Sequence, residues 1–218
     1  HIRAAVMRQA LEKVVLLMRQ LEYPEELVFK DGECFINFDG MLIDAVATPL
    51  FLKQTGKPQT PMGRSVVNFL ERRGMTPETV VDVGANFGEV TLWLAKTYPG
   101  LRILAIEASP ENANILEKNI GAQKFSTENI SVARTAVANR SGTVDFTQGL
   151  GTMTHMLRPG EQHPTVEVPC NRLENLMADH GIEIADFIKI DIEGAEPLLE
   201  DSLRQLAGRV KHFQIEFS

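Results

Sequence analysis

Three acids and a lysine stand where buried apolar strands ordinarily carry no charge. Asp82 interrupts Thr79-Val80-Val81-Asp82-Val83, and the chain then turns through Gly84-Ala85-Asn86-Phe87-Gly88 into an apolar-faced helix. A strand, a glycine turn and a helix N-terminus make a place where backbone N–H groups face a ligand. Gly84 and Gly88 suit the tight turn and a close approach by that ligand, which a Cβ would block. A carboxylate beside the positive helix end suits a cationic ligand better than a pyrophosphate. An ordinary βα turn, with Asp82 hydrogen-bonding its own loop, fits the same spacing. Glu107 ends the next apolar run, Leu101–Ile106. An acid at the end of a second strand is placed to take both hydroxyls of a ribose. Nicotinamide cofactors use that acid too, but their G-x-G-x-x-G turn, counted from Gly84, needs glycines where this chain has Asn86 and Glu89.

The second charged run is Phe187-Ile188-Lys189-Ile190-Asp191-Ile192-Glu193-Gly194-Ala195-Glu196. With a period of two, Lys189, Asp191 and Glu193 share one side of a strand that runs that far. A buried lysine is costly unless paired, and Asp191 or Glu107 is the natural partner. A structural ion pair competes with a working role, in which Asp191 orients a cofactor or acts as base. Asp191 and Glu216, on adjacent strand ends, are candidates for a divalent cation. Two carboxylates make a weak site, so no tight metal is expected. His155 is of a residue type suited to act as a base near neutral pH, although a lone loop histidine is more often simply solvated. His163 and His180 read as structural. Glu193 and Glu196 flank Gly194, where the helix dipole favours carboxylates as readily as a ligand does.

The positioning elements follow from periodicity and punctuation. Ile2–Leu21 predicts an amphipathic helix that packs on the domain or on a second subunit. Leu27–Phe38 predicts a hairpin turning at Asp31-Gly32, with Met41–Ala47 extending it. Thr48–Arg64, rich in proline and glycine, predicts a loop or lid, and Ser65–Arg73 a short helix. A βα rhythm then begins, with strands at 79–83 and 102–106 and a helix at 88–97. Pro110–Asn119 is a helix capped by Ser109, with Gly121 past its end. Ile130–Val137 reads as one strand, followed by short strands at Thr143–Phe146 and Thr165–Pro169 around an exposed loop at 148–164. Helices at Leu173–His180 and Pro197–Leu206 and strands at Phe187–Asp191 and Val210–Phe217 complete the pattern. Such alternation predicts a parallel sheet with right-handed crossovers. Residues 1–73 read as an extension and linker, and 74–218 as the core.

The Asp82–Gly88 turn, Glu107 and the Phe187–Glu196 run together resemble the FkbM family of S-adenosylmethionine-dependent methyltransferases, from about Gly74 onward. The first motif alone marks the wider class I methyltransferase group; the Lys-Ile-Asp-Ile-Glu-Gly-Ala-Glu run is far more specific. The resemblance implies an α/β, Rossmann-like fold with a mostly parallel sheet, here carrying an N-terminal helix and hairpin extension. Its usual closing helix and antiparallel hairpin are expected to be missing, since the sequence stops at Phe217-Ser218. It places S-adenosylmethionine over the turn, with Asp82 and Gly84 near the methionine part and Ala85, Asn86, Phe87 and Gly88 around it. Glu107 would take the ribose hydroxyls, with Ala108 beside it a further cofactor-binding candidate. Ala136 and Val137 would sit beside the adenine, where plain core packing explains them equally well. Asp191, Lys189 and His155 are the catalytic candidates, and Asp191 also a cofactor contact. The implied acceptor is a hydroxyl of a small molecule, natural product or sugar. Two other readings stay open: an NAD-dependent oxidoreductase, and a non-catalytic methyltransferase-like assembly module.

Composition narrows the field. The 218 residues are 44% hydrophobic and 23% charged, ordinary for a globular chain with a sizeable core. A net charge of −7 argues against nucleic acid or an anionic membrane as main partner. Cys34 and Cys170 are too few for a disulfide framework, so a cytoplasmic setting is expected. A homodimer through the N-terminal helix is one assembly the sequence allows, with packing of that helix on its own domain as the alternative.

Overall fold

The computed structural model describes residues 26–31, 33–38, 40–44, 62–148, 155–158, 160 and 162–216. The expected helix Ile2–Leu21, any dimer contact through it, and most of the two long loops lie outside the described residues.

The described chain opens with a three-stranded antiparallel sheet, β1 (Glu26–Lys30), β2 (Glu33–Phe38) and β3 (Met41–Asp44), in sequence order. Asp31 turns the first hairpin with φ +53. Helix α1 (Met62–Arg72) starts three residues earlier than expected. There follow β4 (Thr79–Val83), α2 (Glu89–Thr97), β5 (Arg102–Ile106), α3 (Pro110–Ala122) and β6 (Ile130–Ala133). The Ser109 hydroxyl accepts the Asn112 N–H, capping α3 as anticipated. Gly121 does not end that helix but lies inside it. Lys30, from β1, donates to the Gly121 and Ala122 carbonyls at 3.3 and 3.0 Å. Terminal carbonyls that would otherwise lack partners are thereby satisfied, and the last turn holds.

The stretch Ile130–Val137 is two strands rather than one. β6 belongs to the main sheet, whereas β7 (Ala136–Val137) joins β8 (Gly142–Thr147) and β9 (Thr165–Asn171) in a second sheet of order β7-β9-β8. Thr135 makes the break: its N–H reaches the Glu107 carbonyl and its hydroxyl donates to the Pro169 carbonyl at 3.0 Å. Helix α4 (Leu173–Asp179) ends at His180, whose ring nitrogen lies 2.9 Å from the Leu176 carbonyl. Strand β10 (Ala185–Ile190) precedes a 3-10 turn at Glu196–Leu199, then α5 (Glu200–Gln205) and β11 (Val210–Ile215). The single helix expected at Pro197–Leu206 is thus a 3-10 turn joined to a short α-helix.

The main sheet is wholly parallel, in the order β11-β10-β4-β5-β6. Its alternating residues feed two cores. Val80, Ile103 and Phe187 pack with Met41, Ile43, Val66, Val67, Leu70, Leu92 and Trp93 on one face. Val81, Val83, Leu104, Ile106, Ile188 and Ile190 pack with Leu173 and Met177 on the other. Chain order reverses between the neighbours β4 and β10. At such a switch point the crevice for a ligand opens beyond the carboxyl ends of the strands.

Candidate active site

Strand register brings the charges together. Lys189 and Asp82 are directly paired residues of β10 and β4, so both side chains leave the same face of the sheet. The Lys189 ammonium lies 3.6 Å from Asp82 Oδ1 and 3.5 Å from Asp191 Oδ2, and it donates to the Gly84 carbonyl at 2.9 Å. Asp191 is the expected partner; Asp82, not Glu107, is the second. Asp82 is wholly buried and Lys189 only 4% exposed. Thr91, on the inner face of α2, donates to Asp82 Oδ2 at 2.7 Å. Desolvation works against the ammonium, but Asp82 and Asp191 outweigh it and raise the Lys189 pKa.

Gly84 and Gly88 are required by the protein's own packing, beside any close approach of a ligand. A Cβ on Gly84 would stand 1.8 Å from the Asp191 carbonyl oxygen, and one on Gly88 would stand 2.5 Å from Leu116 Cδ1. Both glycines have positive φ, +74 and +95. Gly84 and Ala85 donate to the Ile106 carbonyl, so the turn is sewn to the end of β5. Asn86 follows with φ +53, a region asparagine tolerates better than most residues.

Glu107 binds that turn directly. Its Oε2 accepts the Asn86 N–H at 2.8 Å and its Oε1 accepts the Ser109 N–H at 2.7 Å. Burial pushes its pKa up to about 7, although both N–H groups and Lys189 oppose the rise. A carboxylate has about four acceptor positions, so two remain for hydroxyl donors. Glu89, unremarked as a site residue in the sequence, opens α2 and is half-buried; its Oε1 accepts the Gly63 N–H at 2.8 Å. Its pKa is likewise driven to about 7 by desolvation, against the Gly63 N–H.

Past Ile190 the chain leaves the strand, so Glu193 does not share a side with Lys189 and Asp191. Glu193 has φ +53 and Gly194 φ +91. Buried Glu196 braces this turn by accepting the Ile192 and Gly194 N–H groups at 3.2 and 3.1 Å. Arg158 crosses above it and donates to the Glu193 carbonyl. His155 is not a solvated loop residue: it is half-buried, and its N–H donates to Thr147 Oγ1 at 2.9 Å beside the bridge between Phe146 and Met156. Burial, then Asp191, Glu216 and Glu196, raise the Glu193 pKa, with His155 acting in the opposite direction.

Asp82, Gly84, Ala85, Asn86, Phe87, Gly88, Glu107, Lys189 and Asp191 therefore meet at the carboxyl ends of β4, β5 and β10. Ala136 and Val137 stand apart in the second sheet; Ala136 packs with Ala108, and Val137 with Val83 and Ile106. Glu216 is exposed, its N–H on the Ile190 carbonyl. Among the described residues no group of three or more His, Cys, Asp or Glu could hold a metal ion. Sequence reasoning missed Thr91, Glu89 and Asn119. Asn119 is fully buried and donates to the Phe87 carbonyl at 2.8 Å. A polar residue on the inner face of an apolar-faced helix was the available signal for Thr91 and Asn119.

Two buried acceptors in this cluster, Asp82 Oδ1 and Asn86 Oδ1, take no hydrogen bond. Asp82 Oδ1 has the Lys189 ammonium at 3.6 Å, whereas Asn86 Oδ1 is left open; buried acceptors are rarely left so, and an acid-rich cleft with such an acceptor fits a ligand bearing positive charge and N–H or O–H donors.

The profile of the Methyltransferase FkbM domain matches residues 82–216. Methyltransferase sdnD of Sordaria araneosa is 25% identical over 148 residues, covering 54% of this chain and 57% of that protein. The 2-O-methyltransferase NoeI of Sinorhizobium fredii is 23% identical over 151 residues, covering 61% and 59%. The chain spans less than two thirds of the length of either curated relative. Among solved structures, an O-methyltransferase from Bacillus cereus in complex with SAH gives a TM-score of 0.37 at 16% identity, over 68% of this chain and 55% of that one. The human methyltransferase 10 domain containing protein gives 0.43 at 18% identity, over 72% and 62%. The profile match covers well over half of the sequence and takes in the glycine turn, Glu107 and the Lys189–Glu196 run, so this chain belongs to the FkbM methyltransferase family.

Proposed function

We propose that this protein is an S-adenosylmethionine-dependent O-methyltransferase acting on a hydroxyl of a small molecule, natural product or sugar. The observation that carries the reading is the convergence of Asp82, Glu107 and Asp191 on the glycine turn, where the buried Asn86 Oδ1 takes no hydrogen bond and Asp82 Oδ1 has only its ion pair with Lys189. The family supports the reaction class, and the relative named a 2-O-methyltransferase supports the hydroxyl acceptor. When bound, S-adenosylmethionine supplies a methyl group on a sulfonium that leaves as a neutral thioether. Glu107 would hold the ribose hydroxyls through its two remaining acceptor positions. Asp82 and Asn86 would receive donors of the methionine part, beside Gly84 and Gly88. Ala85, Phe87 and Ala108 would line the cleft, and Ala136 and Val137 are the candidate adenine neighbours.

The proton of the acceptor hydroxyl needs a base within hydrogen-bond reach. Asp191 is the better of the candidates: its side chain is 19% exposed at the strand end, whereas Lys189 is sealed in by three oxygens. Lys189 then acts through Asp82, Asp191 and Gly84, as a positioning residue. His155, on the neighbouring sheet edge, is the second candidate base. No helix among the described residues is long and apolar enough to cross a membrane.

Calorimetric titration of S-adenosylhomocysteine, and separately NAD, into wild type and Glu107→Ala tests the reading. Micromolar binding of the homocysteine product, weakened at least tenfold (about 1.4 kcal/mol) in the variant, is the expected result. Binding of NAD alone would refute it.

A further inference from the structure

We propose that Glu89 makes this cleft discriminate between the cationic sulfonium cofactor and its neutral thioether product. The inference rests on the cofactor reading above. Glu89 follows Gly88 at the first position of α2, and its carboxylate is held between two helices by the N–H of Gly63 in α1. Thr91, two residues on in the same first turn of α2, bonds Asp82 Oδ2 at 2.7 Å, so Glu89 opens the helical turn that borders the acid cluster and the glycine turn.

The charges there do not balance. Asp82 and Asp191 already share Lys189. Glu107 and Glu89 add two carboxyl groups, and both sense Lys189 only alongside the opposing field of Asp82. Burial drives both toward the neutral form when no further cation is near. The buried Asn86 Oδ1, without a hydrogen bond, points independently to a ligand bearing donors at this spot, and Asp82 Oδ1 beside it has only its ion pair with Lys189. S-adenosylmethionine and S-adenosylhomocysteine share the ribose, the ammonium and the carboxylate. They differ in one methyl group and one positive charge on sulfur. A carboxylate that senses that charge strengthens binding of the donor and not of the product, which favours exchange of product for fresh donor after each turnover.

Glu89→Gln is the informative variant, because the amide oxygen can still accept the Gly63 N–H while the charge is gone. Calorimetry would compare S-adenosylmethionine, sinefungin (a non-reacting analogue carrying an amine near the sulfur position) and S-adenosylhomocysteine on wild type and variant. Two unit charges across a partly desolvated cleft interact strongly enough for about a tenfold effect. The expected result is about tenfold weaker binding of the two cations with S-adenosylhomocysteine changed less than about twofold, and partial recovery in Glu89→Asp. Equal weakening of all three ligands, or no change in any, would overturn the inference and leave the cofactor reading intact. Failure of wild type to bind any of the three would overturn both. Thermal melts of each variant check that the α1–α2 contact survives.

Discussion

Replacing Lys189 with methionine tests how the sheet end is held together. The side chain keeps its volume and apolar stem but loses its charge. Asp82, wholly buried, would then face no cation at 3.6 Å, and the 2.9 Å bond to the Gly84 carbonyl would vanish. Breaking a buried pair from one side costs about 3–5 kcal/mol, which already contains much of the ~1 kcal/mol of the lost hydrogen bond. About 4 kcal/mol is the expected loss, or a fall in Tm of roughly 8–16 °C for a chain of this size. Urea denaturation at pH 7.5 with parallel thermal melts would measure it. Asp82→Asn alone should cost less, since Asp191 still faces the lysine and an amide oxygen can still accept from Thr91. The double variant, with neither charge, should be more stable than Lys189→Met, with a coupling of about 2 kcal/mol. The Lys189 pKa is raised in the folded state, so the pair's contribution is fully present below the ordinary lysine range. It is lost as pH climbs through the raised value, and the alkaline stability loss of wild type should shrink in Lys189→Met. A loss under about 1 kcal/mol, or strict additivity in the double variant, would refute the argument.

Two further outcomes follow from the same geometry. The Glu107 pKa is raised from 4.5 to about 7 by burial, so the ligand-free folded state binds more protons than the unfolded chain between those values. Its stability should therefore fall as pH rises across that window, by on the order of 3 kcal/mol at most, and Glu107→Gln should flatten that part of a pH-dependent denaturation curve. Gly84→Ala should be more damaging than Gly88→Ala in melting temperature. Both pay about 1–2 kcal/mol for positive φ, but the first drives a Cβ to 1.8 Å from the Asp191 backbone, and the second to 2.5 Å from a movable leucine methyl.

The parallel core was readable because its strands are short apolar runs divided by helix caps and glycines, signals that local physics fixes. Asp82, Glu107 and Lys189 stood out for the converse reason, as charges where burial was expected. What stayed hidden depended on register. Nothing in either strand says that Asp82 and Lys189 lie directly opposite one another, so Glu107 was as plausible a partner as Asp191. The break at Thr135 was invisible because the apolar pattern runs on across it; only the capture of Thr135 by Glu107 and Pro169 divides the strand. The reason for Gly84 was equally non-local, since the atom that excludes a Cβ belongs to Asp191, far along the chain. Glu89 drew attention only as a missing glycine, because a carboxylate at a helix start is unremarkable until the neighbouring helix is seen to seal it.

Asn119 links two ends of the molecule. Its amide oxygen accepts the Asp44 N–H at 2.8 Å while its nitrogen donates to the Phe87 carbonyl at 2.8 Å, and Gln123, one helical turn on, makes both backbone bonds of Leu42. Helix α3 thus presents amide side chains as a surrogate strand for β3. The practical consequence concerns excision. A minimal catalytic fragment cut to begin at α1 would strip Asn119 and Gln123 of their β3 partners, Asp44 and Leu42, and uncover the face on which Met41 and Ile43 pack. Residues 41–44, although distant in sequence from every motif, are thus part of the smallest fragment worth expressing.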